Sequence, residues 1–278
     1  MAACALLGAL VAGESRFASL DGAKVHYTSY GSGKEAVVFI HGWTCDLTFW
    51  RMQAPVYQKR RSILIDLPGH GASDKPEVAY TMEHFARGVD AVLRDTGVER
   101  ATLVGHSMGV PVAVEYLRLF PEKVAAIVMV DGFAPQPPKD PKKQAEQRER
   151  MMKMYSAPDA KQTAGKMIAS MFSEHTPAAM RDDIRAKMLA TPSHVMSSAM
   201  EGMMSMKPVT EYWPKLPVLA IMAKRPNSSA NEEFLRAHFA VSDYVEFEGA
   251  GHFLMMEFPE RFNTELLKFL GQVNPRAE

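Results

Sequence analysis

Two cysteines in 278 residues, Cys4 and Cys45, are too few for a disulfide framework, and no Cys/His clusters stand at zinc-ligand spacing. Neither cross-links nor a structural metal is expected, and no cofactor. Net charge is absent as well: Lys plus Arg and Asp plus Glu number 32 each. No overall field steers such a chain toward nucleic acid or an anionic membrane surface, and a small neutral ligand fits that balance best. The apolar start, Met1 to Gly13, falls short of the roughly 20 residues that cross a bilayer, which argues against a stable membrane anchor. It also lacks the Lys/Arg start of a secretion signal. Residues 1–16 therefore read as a trimmed leader or a frayed terminus, leaving a cytoplasmic and an exported or periplasmic location both open. Neither repeats nor low-complexity tracts occur, and the oligomeric state is not legible.

The composition that remains, 47% hydrophobic and 23% charged, is that of an ordinary globular protein long enough for one large α/β domain. Loose alternation from Phe17 to Tyr30, broken at Asp21-Gly22, predicts an antiparallel hairpin. Short continuous apolar runs follow at Ala36 to Ile40, Ser62 to Ile65, Thr102 to Val104, Ala126 to Val130 and Pro217 to Met222. Such runs suit strands buried on both faces of a parallel sheet. Helix-length segments separate several of them. Met82 to Thr96, for instance, carries Met82, Phe85, Val89, Val92 and Leu93 at helical spacing and stops at Gly97. The alternation predicts a doubly wound α/β core over residues 17–132 and 214–278.

Residues 133–213 break the pattern, with no strand signal and twelve of the twenty methionines. Thr176-Pro177 and Thr191-Pro192 each look like an N-cap followed by a first-turn proline, so this stretch is expected to be a helical cap inserted over the sheet. Met200, Met203, Met204 and Met206 either pack the cap on the core or offer a pliable apolar lining.

Gly105-His106-Ser107-Met108-Gly109 sits between an apolar strand run and a helical run, Val110 to Leu119. A Gly-x-Ser-x-Gly pattern in that context presents a serine on a sharp turn, where residues larger than glycine would collide with neighbouring elements. A serine nucleophile needs a base. Of nine histidines, His252 stands in Glu248-Gly249-Ala250-Gly251-His252-Phe253, just after an expected strand from Tyr244 to Phe247. That is the strand end where open α/β sheets build their sites. His106 adjoins the serine and is expected to point away from it. His26, His84, His175, His194 and His238 are expected to pack or to be solvated.

Together with Val37 to Ile40 running into His41-Gly42-Trp43, and with Asp66-Leu67-Pro68-Gly69-His70-Gly71-Ala72-Ser73, the order of these motifs resembles the cap-bearing branch of the α/β-hydrolase superfamily across nearly the whole chain. The resemblance implies an α/β-hydrolase fold with a mostly parallel central sheet, Ser107 as nucleophile, His252 as general base, and an oxyanion hole formed by the backbone N–H groups of Trp43 and Met108. Losing one such donor costs about 3 kcal/mol of transition-state stabilisation. His41 and His70 are expected to tie loops together, and Trp43, Phe133, Met200, Met204 and Phe253 are candidates for the substrate pocket.

Most relatives carry the acid that orients the histidine after the strand corresponding to Pro217 to Met222. Here the chain continues Ala223-Lys224-Arg225-Pro226-Asn227-Ser228, without a carboxylate. Haloalkane dehalogenases carry it one strand after the nucleophile strand, and Asp131 stands at that place in this chain. Asp131 is therefore assigned as the acid, ahead of Asp66, Asp74 and Asp243. The alternative is a structural Asp131, with Asn227 or Glu232 orienting the histidine.

Serine at position 107 disfavours dehalogenase and epoxide-hydrolase chemistry, which in this superfamily uses an aspartate nucleophile. Acyl transfer fits: a carboxylesterase acting on small or medium apolar esters is expected first. A lactonase (the acyl-homoserine-lactone type included), a perhydrolase or a carbon–carbon bond hydrolase follows, and a hydrolase-like ligand receptor with little turnover is the reading from another class.

Overall fold

The structure, a computed structural model, describes residues 13–138, 140–157, 159–226 and 228–273. Strands β1 (Glu14–Leu20) and β2 (Ala23–Tyr30) form the expected hairpin. At its turn Asp21 and Gly22 have φ of +51° and +87°, the two left-handed residues a type I′ turn requires. β1 begins at Glu14 rather than Phe17, which corrects the placement of residues 14–16 in a leader. Glu14, Ser15 and Arg16 pair through the backbone with Ser29, Thr28 and Tyr27, and their exposed polar side chains gave no periodic signal. The remainder of the leader reading, with Cys4, lies outside the described residues.

Strands β3 (Glu35–Ile40), β4 (Ser62–Ile65), β5 (Arg100–His106), β6 (Val124–Val130), β7 (Trp213–Ala223) and β8 (Phe239–Phe247) complete an eight-stranded sheet in the order β1-β2-β4-β3-β5-β6-β7-β8. β2 pairs antiparallel with β1 and β4, and every other pairing is parallel. The inner strands are buried almost throughout, which is why they read as unbroken apolar runs. β8, at the edge, is mostly half-buried, so only its last residues were legible as a strand.

Helices α1 (Ala54–Tyr57), α2 (Met82–Asp95) and α3 (Gly109–Leu119) lie among the first six strands. Thr81 caps α2 by accepting the His84 N–H, and Gly97 closes it at φ +65°. Between β6 and β7 stand α4 (Pro141–Ser156), α5 (Ala160–Ala169), α6 (Ala178–Ala190) and α7 (Ser193–Met204). Helices α8 (Ser228–His238), α9 (Leu254–Glu257) and α10 (Pro259–Val273) follow. α2 and α3 pack on each other and on the sheet, while α10 packs with α1 and α9.

The starts of α6 and α7 differ from expectation: Pro177 and Pro192 are the N-caps, and the helices begin one residue later. The threonines are used elsewhere. The Thr176 hydroxyl donates to Glu257 at 2.6 Å and that of Thr191 to the Thr44 carbonyl at 3.2 Å, so tertiary bonds displace the local caps.

Candidate functional site

β5 ends at His106, and the chain turns at Ser107 into α3 with φ +53°, a left-handed conformation that costs a non-glycine residue about 1–3 kcal/mol. The turn is tight. A Cβ on Gly105 would lie 2.4 Å from the Gly109 carbonyl oxygen, and one on Gly109 2.3 Å from that of Ile40, so both positions need glycine. The Ser107 N–H donates to the Val130 carbonyl at 2.9 Å, tying the turn to the end of β6.

One strand along, Asp131 repeats this arrangement. It follows β6 directly, has φ +38°, and its N–H donates to the Ile221 carbonyl of β7 at 2.9 Å. Its buried carboxylate is saturated with donors. His252 Nδ1 lies 2.5 Å from Oδ2, the Arg225 guanidinium reaches Oδ1 at 2.6 Å and Oδ2 at 2.8 Å, and the Ala223 N–H reaches Oδ1 at 3.0 Å. Burial pushes the Asp131 carboxyl up, but the bonds and charges of Arg225 and His252 outweigh it and hold the group well below the usual carboxylate range. An ionised Asp131 fixes the tautomer of His252: Nδ1 carries the proton, and Nε2 keeps its lone pair.

The His252 loop is stitched down on several sides. The His252 N–H donates to the Met171 carbonyl between α5 and α6, and the His252 carbonyl accepts from His106 Nε2, both at 2.8 Å. Glu257 accepts from the Gly251 N–H at 2.7 Å, from Ser173 Oγ at 2.9 Å and from Thr176 Oγ1. His106 thus bonds the backbone of the His252 loop rather than the serine, as its expected orientation away from Ser107 allows. Burial, and then the neighbouring His252, push its pKa down to about 3, so the ring is neutral.

Around the turn, His41 ties two loops together as expected: Nδ1 donates to the Gly42 carbonyl at 2.8 Å and Nε2 accepts the Leu67 N–H at 3.0 Å. A Cβ on Gly42 would lie 3.1 Å from Ser107 Cβ, so the loop after β3 closes against the serine. Among the described residues, the backbone N–H groups of Trp43 and Met108 donate to no protein acceptor. The Trp43 indole donates to the Met196 carbonyl of α7 at 2.9 Å.

Of the pocket candidates, Trp43, Met200 and Phe253 are buried, and Phe253 packs against Phe49, Phe172 and the ring of His252. Two do not fit a closed apolar pocket. Phe133 is 54% exposed, because the connection leaving Gly132 turns it outward before α4 begins. Met204, the last residue of α7, lines an outer cleft between α4 and α7 with Arg148, Glu149 and Glu201.

Among the alternative acids, Asp66 is spent on His26 and on the Leu47 and Ala72 N–H groups. Glu232 pairs with Arg236 on its own helix, and Asn227 lies outside the described residues. The residue that sequence reasoning missed is Arg225. The signal was the cation itself, standing where relatives hold a carboxylate. Among the described residues, no His/Cys/Asp/Glu cluster is arranged to hold a metal ion.

Comparison with known proteins agrees with this fold. Residues 35–259 match the family described as the alpha/beta hydrolase fold. The 2-hydroxy-6-oxononadienedioate/2-hydroxy-6-oxononatrienedioate hydrolase of Paraburkholderia phymatum is 29% identical over 268 residues, covering 90% of this chain and 91% of that protein. A dihydrolipoyllysine-residue acetyltransferase component of the acetoin cleaving system of Cupriavidus necator is 37% identical over 121 residues, and there the chain spans only 32% of the relative. Among solved structures, a thermophilic esterase from Thermogutta terrifontis superposes with a TM-score of 0.81 at 22% identity, covering 94% of this chain and 99% of that one. An N-acyl homoserine lactone degrading enzyme, Est816, superposes at 0.73 with 24% identity, covering 91% of this chain and 100% of that one. At such identities these structures speak for the fold.

Proposed function

We propose that this chain, which belongs to the alpha/beta hydrolase fold family, is a serine hydrolase that cleaves carboxylic esters through an acyl-enzyme intermediate. The observation that carries the reading is an Asp131–His252 bond of 2.5 Å, with Asp131 at the strand end next to the one whose turn holds Ser107 at φ +53°.

The chemistry follows from the tautomer. With Nδ1 committed to Asp131, His252 Nε2 takes the Ser107 proton as Oγ attacks the acyl carbon, then returns it to the departing alcohol. The negative charge that develops on the carbonyl oxygen meets the unspent N–H groups of Trp43 and Met108, reinforced by the amino end of α3. Water then enters, and the same base activates it to release the acid. Helices α4–α7 act as a cap, joined to the site through the bonds of Met196 to Trp43 and Met171 to His252. The abundance of buried Met and Phe around these contacts favours an apolar acyl or alcohol group.

A second reading has one specific support, the full-length likeness to the dienedioate hydrolase. Hydrolysis of a carbon–carbon bond in a 2-hydroxy-6-oxo acid would use the same serine, base and amides.

The test is burst and steady-state kinetics on nitrophenyl esters of increasing acyl length, an acyl-homoserine lactone and a 2-hydroxy-6-oxo dienedioate. A burst followed by steady turnover on short esters, lost by roughly 10³-fold or more in Ser107→Ala, is expected. A single turnover without steady state would favour a ligand receptor, and preference for the dienedioate would favour the second reading.

A further inference from the structure

We propose that Arg225 is a positioning residue of this site: from the end of β7 it clamps Asp131, setting both the direction the carboxylate faces and how strongly it favours a charged His252. The proposal rests on the serine-hydrolase reading above.

Asp131 follows β6 with φ +38° and glycine after it, and the neighbouring strand holds its side chain by one bond, from the Ala223 N–H to Oδ1, which leaves the plane of the carboxylate free. The guanidinium sets it. Its two terminal nitrogens hold one oxygen each, at 2.6 and 2.8 Å, a planar fork that fixes the plane of the carboxylate and aims Oδ2 at His252 Nδ1. Arg225 is itself anchored: its N–H donates to Ser228 Oγ at 3.0 Å and its carbonyl accepts the Ser228 N–H at 3.1 Å. The need is one-sided. The Arg225 side chain is 43% exposed, beside a recess of about 260 Å³ shared with His252, Gly251 and Ser173, and could be hydrated without a partner. The Asp131 side chain is 1% exposed and could not.

The groups that face this cluster come from every neighbouring element. His106 approaches from β5 as a neutral ring, Glu257 from α9 through the Gly251 N–H, and Tyr244 from β8 toward Arg225. Lys224 and Glu248 neutralise each other at the rim, and His175 lies against Gly249. Among the described residues, Arg225 and His252 are thus the only ionisable side chains that donate to Asp131.

The sign of the effect follows. A carboxylate whose charge is shared with a guanidinium attracts a positive charge on the neighbouring ring less than an unshared one does. Removing the cation should move the acidic limb of kcat/KM upward by about one pH unit. Keeping the cation while losing the fork should leave the limb in place and lower kcat, by roughly tenfold.

The experiment compares wild type, Arg225→Gln and Arg225→Lys in two ways: pH–rate profiles with nitrophenyl acetate, and the pH titration of the downfield Nδ1–H proton resonance of His252. We expect the limb and the resonance of Arg225→Gln to titrate about one unit higher, and Arg225→Lys to lose kcat at an unchanged limb. Variants that only melt earlier, with limb, kcat and resonance as in wild type, would make Arg225 merely structural and overturn the proposal. Should Arg225→Gln fail to fold, full kcat in Arg225→Lys would do the same. If wild type shows no turnover while the resonance shifts as expected, the hydrolase reading fails and the clamp stands.

Discussion

The carboxyl ends of β6 and β7 lie side by side, joined by the bond from the Asp131 N–H to the Ile221 carbonyl, yet one ends in a carboxylate and the other in a guanidinium. Relatives of the resembled kind place the acid at the β7 end. In this chain the carboxylate that meets His252 stands one strand nearer Ser107, and the β7 end holds the cation that pairs with it. A parallel sheet allows the exchange because adjacent strand ends point the same way at about 5 Å spacing, so a side chain from either can reach one imidazole. What matters to His252 is the oxygen at Nδ1, not the strand that carries it.

The largest expected effect tests that equivalence. Asp131→Asn should lower kcat on a short ester by roughly 10³–10⁴-fold, because the amide favours the wrong tautomer of His252. Adding Arg225→Asp to that variant returns a carboxylate to the β7 end and should restore about tenfold of the loss. No recovery, measured by the same assay, would show that the two ends are not interchangeable.

A smaller effect separates the buried groups of this region by their response to acid. His106 is held neutral, with a folded-state pKa of about 3, as is His70 behind the loop after β4. The unfolded chain protonates both near pH 6.5. As pH falls below that value the unfolded state binds more protons, so stability should fall by about 1 kcal/mol per pH unit for each ring. Asp131 acts later. Its depressed pKa stabilises the fold above the ordinary carboxylate value near 4, and that contribution is lost only as pH falls further. Thermal melts from pH 7 to 3 should show both stages, and His106→Gln should make the first shallower, with His70 still contributing, while leaving the second.

The smallest effect concerns the two pocket candidates the structure places elsewhere. Phe133→Ala and Met204→Ala should change stability by less than about 0.5 kcal/mol and leave KM for short esters near the wild-type value. Their counterpart Met200, buried against the core, should cost about 2–4 kcal/mol on truncation to alanine, read by denaturant melts.

Much of this is legible in the sequence. The hairpin turn at Asp21-Gly22, the buried strands, the serine turn with its glycines and the histidine loop each depend on residues adjacent in the chain, where conformation and periodicity leave a local mark. The Asp131 assignment needed the resemblance, since nothing beside that residue distinguishes it from any aspartate after a strand. Thr176 and Thr191 misled because a hydroxyl able to cap its own helix was drawn to Glu257 or to the Thr44 carbonyl instead. Phe133 misled because hydrophobic character does not say which side of a connection a ring lies on.

By itself, the sequence determined the sheet, the strained turn at Ser107 and the glycine-rich loop that carries His252, because backbone preference and burial act over a few residues. Only the tertiary structure decided that Asp131 meets His252 and that Arg225 meets Asp131. Asp131 lies 121 residues from His252 and 94 from Arg225 along the chain, and a charge pair forms wherever burial leaves a carboxylate no water to turn to.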